Sequence, residues 1–490
     1  MNSDELLLRW GFSQNPFKIY TAEKEHNIDR IFLEPPYFNH ILSNPLSPSS
    51  SIAFGYRGEG KSTLCKMVEY KINADFEQQV LLIKYTDFSA WSEKDVPTIS
   101  LDDHLEKLIG LILAEFIRKV ENDITLLEKL GSRELSLLQW YILRFLPAYE
   151  YKQVEDNLIR LLDRLPESHK LKRVSKKGFR RVKSYLRRKR VEIEKVSDSE
   201  SVVNQIVKAL LVIFGPSIPE SKKLKNETLL NLLGKLRDVV MSVGISSIII
   251  TVDKIDETHV YSRNPELAFQ LISPLITSIP YLELDKVATM LFLPYRMKDL
   301  LGSSIRTDRI LTRTITWTND GLKSLLRKRL IAFSSEKIDS LQPYIEPRIW
   351  KDFENNLFFY SAQCPRNMIR LLDFIISDHC EIDPGSKLIT AASMKSGIDH
   401  FYGLRTTEQD SEEYENRLIQ ADYKPIFYVS QLFSKSNITV RNKLAPPFSS
   451  VLGNDVYEAS YDGYSAVGDT EDEAIDKLID KLLDRGYEEE

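Results

Sequence analysis

The sequence of 490 residues predicts an α/β fold built on a parallel, doubly wound sheet. Three observations lead to this prediction. Strand-like apolar runs alternate with amphipathic helical segments, as in parallel sheets whose strands are joined by helices. A glycine-rich loop stands between the first of these strands and a helix. A later β-branched run ends in an acidic residue, and such runs are typical of strands buried on both faces of a parallel sheet.

The glycine-rich loop, GYRGEGKS at 55–62, matches G-x-x-x-x-G-K-[ST] at every fixed position. Residues without a Cβ let successive N–H groups curl around a phosphate, and the following helix directs its positive end at the same anion. We expect Lys61 to contact the β- and γ-phosphates and Ser62 to bind Mg²⁺. A coincidental turn is the alternative interpretation. The predicted nucleotide contacts are Gly55, Tyr56, Arg57, Gly58, Glu59, Gly60, Lys61, Ser62 and Thr63.

A partner carboxylate for the metal is predicted in SSIIITVDKIDET, residues 246–258. Asp253 follows the β-branched run, so it is expected at the carboxyl end of a buried strand, beside the phosphate loop. There it would hold Mg²⁺ through water. Asp256 or Glu257 is the candidate for polarising an attacking water, and Glu257 is preferred. The alternative is a buried strand that ends in a solvated acidic turn.

The remaining elements follow from hydrophobic periodicity. Residues 78–88 and 286–297 are predicted strands, and residues 227–243 and 266–279 are predicted helices. Long amphipathic helical patterns occupy 101–225, between two of the strands. We interpret this region as a helical insertion into the sheet-bearing core.

Length and composition set the broad class. At about 150 residues per domain the chain has room for about three units. The cysteines, Cys65, Cys364 and Cys380, form no CxxC pair, which fits a reducing cytosol and argues against a disulfide framework or zinc site. No apolar stretch approaches the roughly 20 residues that cross a bilayer. A soluble, cytoplasmic protein without a membrane partner is expected.

The segment KLKRVSKKGFRRVKSYLRRKR, from Lys170 to Arg190, contains twelve Lys or Arg and no acidic residue. The net charge of −5 conceals this run, because the rest of the chain sums to −17. Such a run can neutralise several phosphates of DNA or RNA, with strongly salt-dependent affinity. A solvated helix face, a dock for an acidic protein surface and a flexible basic loop are the alternatives.

The C-terminal region predicts a small α+β module. Residues 454–470 are a predicted β-hairpin with its turn at the Asp-Gly pair 462–463. An amphipathic helix is predicted over 471–487, with a capping box formed by Thr470 and Glu473. The acidic start of this helix would repel a phosphate backbone, so a protein–protein or accessory role is expected.

The stretches WGFSQNPF (10–17) and IFLEPPYFNHILSNPLSPSSSIAFGYRGEGKSTL (31–64) resemble bacterial AAA+-related P-loop ATPases, often labelled origin-recognition-like. The D-x-x-D-E spacing from Asp253 is similar to that of STAND and KAP-type NTPases. The likeness covers roughly residues 8 to 400. It implies an ASCE, AAA+-like P-loop NTPase core that binds ATP and Mg²⁺. It also implies that Asn15, Pro16 and Phe17 line the adenine pocket, with ordinary packing as the alternative.

Two arginine roles are implied by the same resemblance. Residues 358–379 resemble the family's helical lid, so Arg366 would reach the γ-phosphate. Residues 306–330 resemble the end of the core and the first lid helix. The candidates for an arginine finger acting in a neighbouring subunit are Arg306, Arg309 and Arg313, with solvated surface charge as the alternative.

The resemblance implies an oligomeric ATPase that remodels a partner or nucleic acid, in mobile-element or anti-phage defence settings. A DNA-binding switch or loader with slow hydrolysis, or a sensor that activates a separate effector protein, is the alternative. The predicted domains are 1–100 with 226–315 as the ATPase core, 101–225 as the insertion, 316–404 as the lid, 405–422 as a linker and 423–490 as the C-terminal module. An exposed helix is the alternative for the charged stretch 405–417 of the linker.

Overall fold

The computed structural model describes a defined part of the chain. The described residues are 2–91, 96–145, 224, 227–257, 261, 264–302, 306–405, 408, 411–420, 431–433, 439–443, 456–461, 464–468, 475, 477–478 and 487–489. The basic run 170–190, most of the predicted insertion, the turn 462–463 and the predicted capping pair Thr470 and Glu473 lie outside them.

The chain groups into two compact units. Unit 1 comprises Met1–Leu33 and Thr316–Glu490, and unit 2 comprises Glu34–Ile315. The first 33 residues therefore group with residues 316–490, whereas the sequence prediction grouped residues 1–100 with the ATPase core.

The strands and helices have the following bounds in chain order. The strands are β1 (Ser51–Gly55), β2 (Val80–Tyr85), β3 (Ser247–Val252), β4 (Val287–Pro294), β5 (Leu311–Thr314), β6 (Gln431–Phe433), β7 (Thr439–Lys443), β8 (Val456–Tyr461), β9 (Tyr464–Gly468) and β10 (Tyr487–Glu489). The helices are α1 (Ser3–Trp10), α2 (Ile28–Ile31), α3 (Phe38–Leu42), α4 (Lys61–Phe76), α5 (Leu101–Asn122), α6 (Ser132–Phe145), α7 (Leu229–Ser242), α8 (Pro265–Thr277), α9 (Ile279–Leu282), α10 (Arg296–Leu301), α11 (Asn319–Phe333), α12 (Trp350–Tyr360), α13 (Pro365–Ile382), α14 (Ala391–Arg405) and α15 (Ser411–Gln420).

Unit 2 contains a five-stranded sheet in the order β2-β3-β4-β1-β5, and every neighbouring pair is parallel. The predicted α/β class with a parallel sheet is confirmed. The four predicted strands are present as β1, β2, β3 and β4, and the sequence prediction missed the short strand β5. Strand β4 lies between β1 and β3, so the two strands that precede the predicted site residues are separated by one strand.

The described part of the predicted insertion belongs to the core of unit 2. Helix α5 buries apolar residues along its whole length, among them Leu108, Ile112 and Phe116. His104 on the same helix is buried between Tyr85 and Leu271. Its Nε2 donates to the Leu271 carbonyl at 2.7 Å, so Nδ1 accepts from the Tyr85 hydroxyl at 2.8 Å. Helix α5 therefore packs as a crossover between β2 and β3, in one apolar cluster with the sheet.

Unit 1 has its own apolar core, formed by α1, α11–α15 and the segment that follows α1. Helix α13 buries Met368, Leu371 and Leu372. Residues 411–420, within the predicted linker, form α15, because Tyr414 and Leu418 lie one turn apart and are buried.

Among the described residues of unit 1, short strands form two further sheets. Strands β8 and β9 pair antiparallel, which confirms the predicted hairpin, and β7 adds an unforeseen third strand beside β8. Strands β6 and β10 pair in parallel. Of the predicted helix 471–487, residues 475, 477 and 478 are helical, whereas Tyr487 is the first residue of strand β10, where the sequence prediction extended the helix too far.

Among the described residues, no helix has both the length and the apolar character that crossing a membrane requires.

Candidate phosphate-binding site

The glycine-rich loop lies between β1 and α4, at the carboxyl edge of the parallel sheet. Gly58 and Gly60 have φ values of 88° and 101°, in the left-handed region that favours glycine. Gly55 faces a different constraint, because a Cβ there would lie 3.2 Å from both Ile315 Cδ1 and Lys61 Cγ. The predicted strand–loop–helix arrangement is confirmed, and its backbone curvature is the kind that forms an anion-binding nest.

Lys61 is buried at the start of α4. Its Nζ donates to the carbonyls of Gly55 at 3.0 Å and Tyr56 at 3.2 Å, and it lies 3.9 Å from a carboxylate oxygen of Asp256. The ammonium group is thus held over the first turn of the loop. A cation in this position is within side-chain reach of any anion that the loop binds.

Asp253 directly follows β3 and is 3% exposed. Burial raises the pKa of Asp253 to about 6, against the opposing effects of a hydrogen bond from the Ser62 hydroxyl, one from the Lys254 backbone and the charge of Lys61. The structure therefore brings Asp253 together with Ser62 and Lys61, although almost two hundred positions separate them in the chain. These residues meet because β1 and β3 run parallel on either side of β4, so the carboxyl ends of both strands lie at the same edge of the sheet.

The two later carboxylates point to different partners. Asp256 pairs with Lys61 and its side chain is 28% exposed. Glu257 lies 3.8 Å from Lys254 Nζ and its side chain is 57% exposed. The preferred water-polarising candidate, Glu257, is thus the one without a contact to the loop lysine in this structure, and Asp256 is the one with it.

The residues present fit a magnesium ion. The Ser62 hydroxyl lies close enough to the Asp253 carboxylate to lower its pKa, so two oxygen groups that could bind a metal meet beside the loop. Mg²⁺ prefers oxygen ligands and commonly takes one or two from the protein, with the others from water and phosphate. Protonated Asp253 would be a poor ligand, so its charge state matters for this fit.

The residues implied for the adenine pocket lie in unit 1, where they have structural partners. Phe17 is fully buried in the core of that unit. The Asn15 side chain accepts from the Phe17 N–H at 2.8 Å and donates to Asp4 at 3.0 Å. The Pro16 carbonyl accepts from Arg329, which also forms a buried ion pair with Glu25. These contacts favour the packing alternative for all three residues.

The arginine candidates are distributed between the two units. Arg366 lies on α13 of unit 1, and its Nε is buried without a hydrogen-bond partner among the described residues. Arg306 and Arg309 of unit 2 pair with Asp308 and Glu283, respectively. Arg313 is exposed on β5 and donates to the Thr312 carbonyl at 3.3 Å. Within unit 2, none of the described contacts of Arg306, Arg309 and Arg313 is to Lys61 or Asp253.

Sequence reasoning missed several residues around the loop. Tyr37, from the EPPYF stretch, has its pKa raised to about 12 by burial and by the negative charge of Glu59. Tyr295, at the end of β4, stacks on Tyr56 with ring centroids 4.2 Å apart. Tyr37 follows a Pro-Pro pair and Tyr295 follows a strand. Neither local pattern indicates which loop the tyrosine contacts.

A second polar cluster lies between α4 and the sheet. The Glu69 carboxylate accepts from the Thr251 hydroxyl at 2.9 Å and pairs with Lys84. Thr251 precedes Asp253 by two positions on β3, and Glu69 follows Ser62 by seven positions, two helical turns, on α4. The pair Ser62 and Asp253 and the pair Glu69 and Thr251 therefore connect the same face of α4 to the same face of the sheet.

No protein-family model matches the chain, and a search of the curated proteins finds no relative.

Proposed function

We propose that the chain is an ASCE, AAA+-like P-loop ATPase, which binds ATP with Mg²⁺ and hydrolyses the nucleotide. One observation carries this proposal: Lys61, Ser62, Asp253 and Asp256 converge at the carboxyl edge of a parallel sheet, around a loop with nest-like curvature. Ligands bind at this edge in open α/β sheets.

In the proposed site, the loop N–H groups and the start of α4 bind the phosphates. Lys61 neutralises charge on the β- and γ-phosphates. Ser62 and Asp253 hold Mg²⁺, which when bound stabilises negative charge on the transferred phosphoryl group. We prefer Asp256 to Glu257 for orienting the water, because Asp256 lies at Lys61 whereas Glu257 pairs with Lys254.

We further propose that the ATPase assembles as a homo-oligomer. The support is the sequence resemblance, in which Arg366 acts from the lid and one of Arg306, Arg309 and Arg313 acts on the neighbouring subunit's nucleotide. Arg306 and Arg309 would each have to leave an acidic partner of their own chain to do so. The described contacts of Arg313 include no acidic side chain that it would have to leave, which favours Arg313 as the arginine finger.

The proposed role is remodelling of a partner or nucleic acid, in anti-phage defence. Its support is the resemblance together with the basic run Lys170–Arg190. A DNA-bound switch with slow hydrolysis is the second candidate, which the same run favours. A sensor acting on a separate effector is the third.

Substitution of Lys61 tests the ATPase. Lys61→Ala removes the cation nearest the proposed phosphates, so turnover should fall by about two to three orders of magnitude and nucleotide binding should weaken. Phosphate release and binding of a fluorescent ATP analogue measure the two effects. Lys71→Ala on the same helix is the matched control, because Lys71 forms a surface pair with Glu34. Wild-type turnover in Lys61→Ala would remove the site assignment.

A further inference from the structure

The turn at the start of the phosphate loop is closed by a side chain of the loop itself. The Glu59 N–H donates to the Tyr56 carbonyl at 3.3 Å, and the Glu59 carboxylate accepts from the Tyr56 N–H at 2.7 Å. The two residues thus bond reciprocally, as in a capping box, and enclose Arg57 and Gly58. The loop motif places no restriction on residue type at position 59.

The carboxylate of Glu59 is in an unusual position for a negative charge. Glu59 is 3% exposed, and burying a carboxylate costs free energy unless hydrogen bonds compensate. It also lies in the loop proposed to bind a triphosphate, where like charges repel. The negative charge of Glu59 reaches Tyr37, whose pKa it helps to raise. The hydrogen bond from the Tyr56 N–H is one contact that offsets this cost.

Tyr56, whose N–H donates to the Glu59 carboxylate, contacts both Lys61 and the end of the sheet. Its carbonyl accepts from Lys61 Nζ at 3.2 Å, and its ring stacks on Tyr295 at the end of β4. The Tyr295 N–H in turn donates to the Gly55 carbonyl at 3.0 Å. The bond from Tyr56 to Glu59 therefore positions the first turn of the loop relative to both Lys61 and the sheet.

From this geometry we propose that Glu59 is a positioning residue with two opposed effects on nucleotide affinity. Its hydrogen bond to Tyr56 preorganises the loop for phosphate, and its negative charge weakens phosphate binding. The inference rests on the proposed function. It predicts that the acceptor and the charge can be separated by substitution, since glutamine keeps a side-chain oxygen at the same reach but carries no charge.

The experiment measures the Kd for MgATP and the steady-state kcat and KM of the full chain and two variants. Glu59→Gln should bind about two- to tenfold more tightly than wild type, because repulsion is removed while the acceptor remains. This gain should shrink at high ionic strength. Glu59→Ala should bind MgATP about tenfold more weakly than wild type, because the loop loses the hydrogen bond between Tyr56 and Glu59. Glu77→Gln, at the exposed end of α4, is the control and should match wild type.

The outcomes separate the two proposals. If wild type binds no nucleotide, the proposed function fails and this inference fails with it. If wild type binds and Glu59→Ala binds equally well, or if Glu59→Gln binds more weakly than wild type, only the role of Glu59 is overturned. Should Glu59→Ala not fold, as judged by its thermal unfolding, the affinity and salt dependence of Glu59→Gln decide alone.

Discussion

At the residue scale, Asp253 shows how position changes the chemistry of a side chain. It is buried at the end of a β-branched strand, where desolvation outweighs a hydrogen bond from Ser62 and the charge of Lys61. A buried carboxylate without a full complement of partners destabilises the fold at neutral pH. In the proposed site, that cost is the consequence of placing a metal ligand beside a phosphate loop.

The raised pKa of Asp253 predicts a pH-dependent effect of Asp253→Asn on stability. The folded-state pKa is about 6 and the ordinary value is 3.8, so the folded protein holds this proton more tightly than the unfolded chain. Protonation of Asp253 therefore contributes to the free energy of unfolding. This contribution is fully present below pH 3.8 and is lost as the pH rises through about 6. Asp253→Asn removes this loss, so it should raise the free energy of unfolding at pH 7.5 by up to about 3 kcal/mol.

The difference in the free energy of unfolding between Asp253→Asn and wild type should decrease by about 1.4 kcal/mol from pH 7.5 to pH 5. This decrease corresponds to one pKa unit. Urea unfolding at the two pH values measures it. Glu77→Gln is the surface control and should stay within about 0.5 kcal/mol of wild type at both. A variant that is less stable than wild type at pH 7.5, or a difference that does not change with pH, contradicts the prediction.

At the element scale, a glycine lies where helices α13 and α14 contact each other. A Cβ on Gly397 of α14 would lie 2.4 Å from the Cα and 2.7 Å from the N of Ile375 on α13. These are backbone atoms, which cannot move aside as a flexible side chain can. Helices α13 and α14 can therefore approach at this point only because residue 397 has no side chain.

Gly397→Ala should consequently destabilise the protein, by about 1–3 kcal/mol or more from overpacking. The gain of up to about 1 kcal/mol in helix propensity does not offset this. Gly403→Ala on the same helix is the matched variant, because a Cβ there meets nothing within 4 Å. It should leave the unfolding midpoint unchanged or raise it. Equal urea midpoints for the two variants would show that the α13–α14 contact is looser than described.

At the scale of the whole molecule, charge is distributed unevenly along the chain. The net charge is −5, yet residues 170–190 carry twelve positive charges. Contacts from such a run to a nucleic acid would be made to the phosphate backbone and would be largely independent of sequence. The run lies outside the described residues, and substitution tests its role.

Replacing Arg180, Arg181, Arg187 and Arg188 with Glu should abolish DNA binding and any DNA-stimulated ATP turnover. It should also reduce the dependence of affinity on salt, because fewer phosphates are neutralised. Fluorescence anisotropy with duplex DNA at several salt concentrations measures binding, and solution mass with an ATP analogue, with and without DNA, reports assembly. Glu replacements of Arg327 and Arg348, two exposed arginines of unit 1, are the control. Unchanged binding and turnover would assign the run another role.

The sequence by itself determined the local elements of the site. The spacing of glycines, Lys61 and Ser62 requires a loop between strand and helix, and the β-branched run before Asp253 has few alternatives to a buried strand. Both signals are local, because the backbone conformations open to glycine and the strand preference of a β-branched run belong to those residues themselves. Strands β1 to β4 and helices α4, α5, α7 and α8 were predictable for the same reason.

Only the tertiary structure decided which residues meet. It paired Asp256 with Lys61, turned Glu257 towards Lys254, and packed Phe17 into unit 1. It also closed the loop through Glu59 and Tyr56 and stacked Tyr56 on Tyr295. The physical reason is that these contacts depend on strand order and on the direction of side chains within the packed core, and neither is encoded in the spacing of residues along the chain.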